Sequence, residues 1–189
     1  MLELFRFPGG VKPASHKQES AGAPIVAAPL PKLLVVPFRQ SATGAAAIQV
    51  RAGERVLKGQ QIGTAEGAFG SAVHAPTSGT VLAVESRVLP HPSALAAPCA
   101  VIEPDGAERW IERVPLDPFA GDPEIARARI RDAGIVGLGG AVFPSHVKTR
   151  AARKIDTLVI NGAECEPWIT CDDRLMRERG AEIVAGAAI

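Results

Sequence analysis

Residues 134–144 constrain the fold more than any other stretch: they read Gly-Ile-Val-Gly-Leu-Gly-Gly-Ala-Val-Phe-Pro, and Lys148 follows closely. A glycine-rich segment leaves its backbone amides uncovered and can adopt torsions that other residues avoid. Amides curved into a concavity bind anions, and a nearby lysine adds compensating charge. The segment therefore predicts a loop around the phosphate of a nucleotide or a flavin. A glycine turn that serves only close packing is the alternative.

The segment that follows predicts acidic groups near the same ligand. Residues 155–160 read Ile-Asp-Thr-Leu-Val-Ile and precede Asn161-Gly162, a pattern that predicts a buried strand ending in a turn. In open α/β sheets, ligands lie beyond the carboxyl ends of strands. Glu164 and Glu166 come at that end, where carboxylates suit ribityl or ribose hydroxyls or a ring N–H. This division of roles indicates a nucleotide-like ligand rather than a bare anion.

These residues resemble a known family. Residues 134–148 and the run 161–176, Asn-Gly-Ala-Glu-Cys-Glu-Pro-Trp-Ile-Thr-Cys-Asp-Asp-Arg-Leu-Met, resemble the RnfC protein of the Rnf/Rsx ion-translocating electron transport complex. They are more distantly similar to the flavin-binding subunit of NADH dehydrogenase. The opening at residues 7–13, Phe-Pro-Gly-Gly-Val-Lys-Pro, with His16 and Lys17, looks like the start of the same family. The resemblance covers essentially the whole chain.

The resemblance implies FMN and NADH as cofactors and assigns roles to residues. The glycine segment would wrap the FMN phosphate, Lys148 would add charge, and Phe143 would stack on a ring. Asn161 would contact the flavin, and the two glutamates would line the flavin and nicotinamide side. The implied cofactor-binding residues are Gly137, Gly139, Gly140, Ala141, Phe143, Lys148, Asn161, Glu164 and Glu166. Leu138 and Ala163 stand where the NADH-dehydrogenase subunit has arginine and aspartate, and both agree with the RnfC pattern.

The family's function supplies our leading hypothesis. A hydride from NADH would reduce flavin, and electrons would leave through two [4Fe-4S] clusters held beyond Ile189, coupled to ion translocation. The partners would be integral-membrane and ferredoxin-like subunits of the Rnf/Rsx complex, with this protein peripheral on the cytoplasmic face of the bacterial inner membrane. We assign no catalytic acid or base and no metal site within this chain. A cobalamin-reductase-type flavoprotein and a non-catalytic docking module of the same complex are the alternatives.

The region 31–104 carries closely spaced strand signals with glycine and proline turns, as in a small all-β sandwich or barrel. The signals include 33–36, 61–64, 71–76 and 80–84. The runs 53–60 and 74–81 resemble a lipoyl/biotinyl-type hammerhead, a barrel-sandwich hybrid. The matching hairpin tip, about 68–72, contains no lysine, which excludes attachment of a prosthetic group there. Lys58 is expected to be solvated, and His74 to be a turn histidine with its hydrogen bonds satisfied.

Two helices are predicted after residue 118. Asp122 as N-cap, Pro123 in the first turn and Gly134 at the end define the first helix. Its apolar stripe would comprise Ile125, Ala126, Arg129, Ile130 and Ala133. The second begins near Asp172 or Asp173, would present Met176, Ile183, Val184 and Ala187 on one face, and continues to the end of the sequence. Because no C-capping signal follows, we expect the chain to be truncated within its second domain.

The predicted fold is mixed: a barrel-sandwich hybrid followed by the truncated start of an α/β FMN/NADH-binding domain. The predicted domains are an extended arm (1–30), the barrel-sandwich hybrid (31–104), a linker (105–118) that Trp110 and Ile111 anchor, and the α/β start (119–189).

Composition excludes several other classes of protein. The net charge of +1 argues against a nucleic-acid partner, and no apolar run approaches the roughly 20 residues of a spanning helix. Three cysteines suggest a reducing compartment, and we expect Cys165 and Cys171 to be small buried residues rather than cluster ligands. Phe5 and Phe7 would dock the arm onto a domain. His16, Lys17, Arg150, Arg153 and Lys154 would be solvated.

Overall fold

The computed structural model describes residue 11 and residues 13–41, 44–90, 93–150 and 155–189. The chain forms two compact units. The larger comprises Pro29–Lys154, and the smaller combines Met1–Ala28 with Ile155–Ile189. Phe5, Phe7, Arg153 and Lys154 lie outside the described residues.

The larger unit contains two antiparallel sheets. Its strands are β1 (Leu34–Pro37), β2 (Ala47–Ile48), β3 (Arg55–Val56), β4 (Gln61–Thr64), β5 (Val73–His74), β6 (Gly79–Val88) and β7 (Ala96–Pro104). One sheet has the order β1-β7-β6-β3, and the other has the order β2-β4-β5. The predicted strands at 61–64 and 80–84 coincide with β4 and with part of β6. Strand β7 carried no separate signal, because its first half is rich in alanine and proline, which are weak strand formers.

The core of the larger unit lies among these strands. The side chains of Phe38, Ile62 and Ile102 are fully buried, and Val73 and Val81 complete the centre. Each such side chain contributes roughly 1.5–3 kcal/mol by leaving water. The prediction of a small all-β module with one core is therefore confirmed.

The segment after β7 is fastened to the barrel through Lys58. The Lys58 amide donates to the Arg109 carbonyl at 2.8 Å, and the Lys58 carbonyl accepts from the Ile111 amide at 3.0 Å. The Lys58 ammonium pairs with Glu108 and lies 5.4 Å from the centre of the Trp110 ring. The predicted anchoring of the linker is confirmed, whereas the prediction that Lys58 is solvated is wrong. An acidic side chain 50 residues away gives this lysine a partner that local sequence cannot reveal.

Helix α2 (Pro123–Asp132) begins and ends as predicted. The Asp122 carboxylate accepts from the Glu124 amide at 2.9 Å, and Gly134 adopts a φ of 70° just beyond the last turn. The predicted apolar stripe is only partly right, since Ile125 and Ala133 are exposed while Ile130 is half-buried. The short helix α3 (Ser145–Lys148) follows the glycine segment.

In the smaller unit, a terminal helix and an N-terminal arm contact each other. The elements are α1 (Lys17–Ser20) and, closer to the end of the chain, α4 (Cys171–Ala187). The N-cap position of α4 is Thr170, so the prediction of Asp172 or Asp173 is wrong by two or three residues; both aspartates instead lie in its first turn. Helix α4 is kinked at Arg179, where φ is −127°.

Two further predictions about this unit are wrong. Residues 155–160 form no strand, and Val159 is 81% exposed, because no neighbouring strand among the described residues pairs with the segment. A strand is stable only when its backbone groups find such partners. Cys165 and Cys171 are exposed rather than buried, whereas Cys99 is buried in the barrel.

None of the helices in the described parts of the chain has the length and apolar character needed to cross a membrane.

Candidate functional site

The glycine segment forms a loop that is closed at its base by backbone hydrogen bonds. The Gly137 amide donates to the Phe143 carbonyl at 2.8 Å, and the Ser145 amide donates to the Ile135 carbonyl at 3.1 Å. Inside this loop, the Val142 amide donates to the Gly139 carbonyl at 3.0 Å, which forms a tight turn. The base of the loop is thus fixed while its tip projects outward.

The tip of the loop presents bare backbone. A Cβ atom built on Gly139 or Gly140 would meet nothing within 4 Å, and neither residue has a left-handed φ. Leu138 is 98% exposed. The amides of Leu138, Gly140 and Ala141 have no backbone acceptor in the described part of the chain. The glycines at the tip are therefore explained by open access to the backbone rather than by torsions that only glycine adopts.

A cation and an aromatic ring lie beside the loop. A Cβ atom on Gly137 would be 3.6 Å from the Lys148 ammonium, and that ammonium lies 5.7 Å from the centre of the Phe143 ring. Phe143 also meets Phe69 edge to face, with ring centres 6.1 Å apart. Lys148 thus lies beside Gly137 at the base of the loop whose tip carries the uncovered amides, an arrangement that suits an anion with several oxygens. The structure brings Gly137, Phe143 and Lys148 together; that they share one ligand stays a prediction.

The loop is built directly on the β4–β5 hairpin. Gly134 approaches this hairpin so closely that a Cβ atom there would lie 2.5 Å from the Ala72 carbonyl oxygen. Arg131 donates to the carbonyls of Ala65 and Gly67, at 3.3 and 3.1 Å, and His146 Nε2 lies 3.1 Å from the Ala68 carbonyl. The hairpin that bears the attachment lysine in carrier domains is here fixed by the elements around the glycine loop.

The predicted residues 161–166 lie in the smaller unit, where Glu164 caps helix α4. Its carboxylate accepts from the amides of Asp172 at 2.9 Å and Asp173 at 3.4 Å, and from Cys171 Sγ at 3.1 Å. These bonds, the Asp172 amide foremost, lower the pKa of Glu164. The hydrogen bond to Glu164 in turn raises the pKa of Cys171. Asn161 accepts from the Ala163 amide at 2.9 Å, and Glu166 is exposed.

The arm holds this segment in place through residues that the sequence did not single out as structural. Lys17 donates to the carbonyls of Glu164 at 2.6 Å and Ile169 at 2.8 Å, so the prediction that it is solvated is wrong. His16 stacks on Trp168 with ring centres 4.3 Å apart. Because Lys17 and Glu164 are 147 residues apart, no spacing pattern could have indicated the contact.

Comparison with known proteins identifies the family of the chain. The family model described as RnfC barrel sandwich hybrid domain matches residues 5–107, more than half of the sequence. The chain belongs to the RnfC family. A second model, the Nuo51 FMN-binding domain, matches residues 130–189 of this RnfC-family chain.

Curated relatives agree with the family models. The chain is 47% identical over 192 residues to the RnfC-type subunit of the ion-translocating oxidoreductase complex of Pseudomonas aeruginosa, covering 100% of this chain and 25% of that protein. It is 46% identical over 191 residues to the subunit of the same name in Rhodobacter capsulatus, covering 100% of this chain and 37% of that protein. The chain thus spans only a minor part of the length of these relatives.

The second family match covers the predicted cofactor site. All nine predicted cofactor-binding residues fall within 130–189, the range similar to an FMN-binding domain. Six of them, from Gly137 to Lys148, lie in the larger unit, and Asn161, Glu164 and Glu166 lie in the smaller. The prediction that all nine surround one cofactor stays a prediction. The barrel-sandwich hybrid predicted from the hammerhead pattern is confirmed.

Proposed function

We propose that this RnfC-family chain contributes the FMN phosphate site of an oxidoreductase that accepts electrons from NADH. The observation that carries the proposal is the geometry of the glycine loop, in which open space surrounds Gly139 and Gly140 at the tip and the Lys148 ammonium lies beside Gly137 at the base. The match to an FMN-binding domain supports the same function, as does the name of the relatives, which are subunits of an ion-translocating oxidoreductase complex.

The residues present fit the phosphate end of FMN. The amides of Leu138, Gly140 and Ala141, which have no backbone acceptor in the described residues, would donate to phosphate oxygens, and Lys148 would balance the charge. Phe143 would supply an apolar surface. Bound FMN would supply hydride and electron transfer, while the protein supplies position and electrostatics.

The two predicted carboxylates, Glu164 and Glu166, differ in how well they could accept hydrogen bonds from FMN. Glu164 already accepts hydrogen bonds at both oxygens from the start of α4, so its first role is to fix the segment 161–173. Glu166 is exposed and makes no such bonds in the described structure, so it is the better acceptor for a ribityl or ribose hydroxyl. Within the intact protein, electrons would pass to two [4Fe-4S] clusters held outside this chain, and then to ferredoxin-like and integral-membrane subunits, driving ion translocation. The intact protein would be peripheral on the cytoplasmic face of the inner membrane.

The experiment is a valine substitution at the loop tip of the intact protein. The Cβ atom of a valine at 139 or 140 would meet no atom within 4 Å, so Gly139→Val and Gly140→Val should fold normally, but each covers amides that would hold the phosphate. Loss of charge-assisted hydrogen bonds should weaken FMN binding by about tenfold or more, read from the quenching of flavin fluorescence. Gly22→Val, at an equally open position in the smaller unit, is the matched control.

The same variants separate a redox protein from a docking module. Loss of FMN with the complex still assembled supports the redox function. Loss of assembly with FMN binding retained would favour a docking module, and unchanged FMN affinity in both tip variants would refute the proposed phosphate site.

A further inference from the structure

A basic groove lies in the larger unit, on residues that the tip of the glycine loop does not use. It has a volume of about 380 Å³, within the range of small-molecule sites. Its walls come from the β4–β5 hairpin tip, from α2, and from α3 with the residues after it. We call it the arginine groove; it is lined by Gly67, Ala68, Phe69, Glu124, Arg127, Ala128, Arg131, His146, Val147 and Arg150.

The charge of the arginine groove is strongly positive. Arg127 and Arg131 are one turn apart on α2, so they project from the same side of the helix, and Arg150 joins them beyond α3. Glu124 is the only acidic residue in the lining, and its carboxylate lies 3.2 Å from Arg127. One acid cannot neutralise three guanidinium groups. The groove therefore favours an anion.

Two arginines that line this groove each have one buried donor without a protein acceptor among the described residues. The Nε atoms of Arg127 and Arg131 are both buried, and neither has a hydrogen-bond partner in the described part of the chain. The Arg127 side chain is only 23% exposed. Because both Nε atoms are shielded from solvent, a ligand in the groove would accept from the terminal nitrogens of these guanidinium groups rather than from Nε. Arginine offers several donors in a planar fork, which matches the oxygens of a phosphate or a carboxylate.

The remainder of the lining is largely apolar. Phe69, Ala68, Ala128 and Val147 form the walls beside the basic residues. The volume of the groove is more than a bare oxyanion needs, and an apolar wall next to a cationic one suits an organic molecule with one anionic end. A phosphate monoester fits this pattern, because its dianionic end can accept from two arginines at once.

We propose that the arginine groove binds the phosphate monoester of a small organic molecule, with Arg127 and Arg131 as the principal phosphate ligands. The groove is separate from the tip of the glycine loop, since none of the residues 137–141 lines it. The proposal therefore does not rest on the proposed flavin function. Arg131 also donates to the Gly67 carbonyl in the hairpin tip. Ligand binding to Arg131 would therefore affect the position of the hairpin against which Gly134 and Phe143 pack.

The test is calorimetric titration of the flavin-free protein with adenosine monophosphate, inorganic phosphate and adenosine at constant ionic strength. Adenosine monophosphate should bind and adenosine should not. Arg127→Gln, which removes no hydrogen bond to the hairpin, should weaken binding about tenfold or more. Arg129→Gln is the matched control: it removes one charge from the same helix, and its side chain bonds the Val114 carbonyl rather than lining the groove.

Several outcomes would overturn the proposal. Absence of binding by both phosphates, or unchanged affinity in Arg127→Gln and Arg131→Gln, would refute the site. Inorganic phosphate binding as tightly as adenosine monophosphate would refute the organic ligand. The Gly139→Val variant must bind adenosine monophosphate normally; if it lost this ligand and FMN together, the two sites would be one. If FMN did not bind but adenosine monophosphate did, the proposed FMN site would be refuted and the arginine-groove site would be supported.

Discussion

Gly134→Ala should destabilise the larger unit far more than the chemically identical change at Gly139. Gly134 has a φ of 70°, where an L residue costs roughly 1–2 kcal/mol. Its new Cβ atom would also lie 2.5 Å from the Ala72 carbonyl oxygen, whereas ordinary contact distances are 3.4–4 Å. Relieving that overlap requires the hairpin and the helix end to move apart, and overpacking of this kind costs roughly 1–3 kcal/mol.

Together these two costs give roughly 2–5 kcal/mol of lost stability for Gly134→Ala. At about 2–4 °C per kcal/mol for a chain of this size, a central loss of about 3 kcal/mol should lower the Tm by roughly 6–12 °C. Gly139→Ala meets open space without a left-handed φ, so its effect should stay within about 0.5 kcal/mol.

Urea unfolding followed by circular dichroism, together with thermal melts, measures both variants against the parent protein. Equal stability of Gly134→Ala and the parent would refute the close approach between the helix end and the hairpin. An equal loss in both variants would refute the open tip, because the control would then also be packed.

Three further predictions concern single side chains. The pKa of Asp105 lies well below its ordinary value, chiefly through the hydrogen bond from Ser78. The stability that Asp105 contributes is therefore present above about pH 4 and is lost as the pH falls below that value. Asp105→Asn should flatten the acid side of a plot of unfolding free energy against pH. An unchanged acid side would contradict this prediction. Glu164→Gln should weaken the cap of α4, with a small loss of helical circular dichroism and a lower urea midpoint. If neither changed, the hydrogen bonds of Glu164 would not stabilise the helix. Lys58→Met removes the ion pair with Glu108 and the ammonium beside Trp110 but keeps the backbone bonds and the Arg113 contact, so it should cost about 1 kcal/mol or less and shift the tryptophan emission only slightly to the red. An unmoved spectrum in a Trp168→Phe background would count against the contact between the Lys58 side chain and Trp110.

Local sequence predicted the elements whose signals lie within a few residues. Asp122 and Pro123 at the start of α2 and the bare tip at Gly139 are such cases, because capping and amide exposure depend on neighbouring atoms in the chain. The short strands of the barrel followed from their glycine and proline punctuation. Family resemblance then supplied FMN as a cofactor, which no spacing rule could have named.

Tertiary structure decided the roles that depend on distant partners. Lys17 holds the carbonyl of Glu164 across 147 residues, and Arg131 holds that of Ala65 across 66. The strand predicted at 155–160 failed for the same reason, since a strand depends on a neighbour that its own residues do not specify. Whether a charged side chain is solvated, paired or buried without an acceptor is set by what the fold places beside it. For this protein, the sequence determined the loop and the helix that leads into it, while the three-dimensional contacts determined which side chains hold them and where the arginine groove lies.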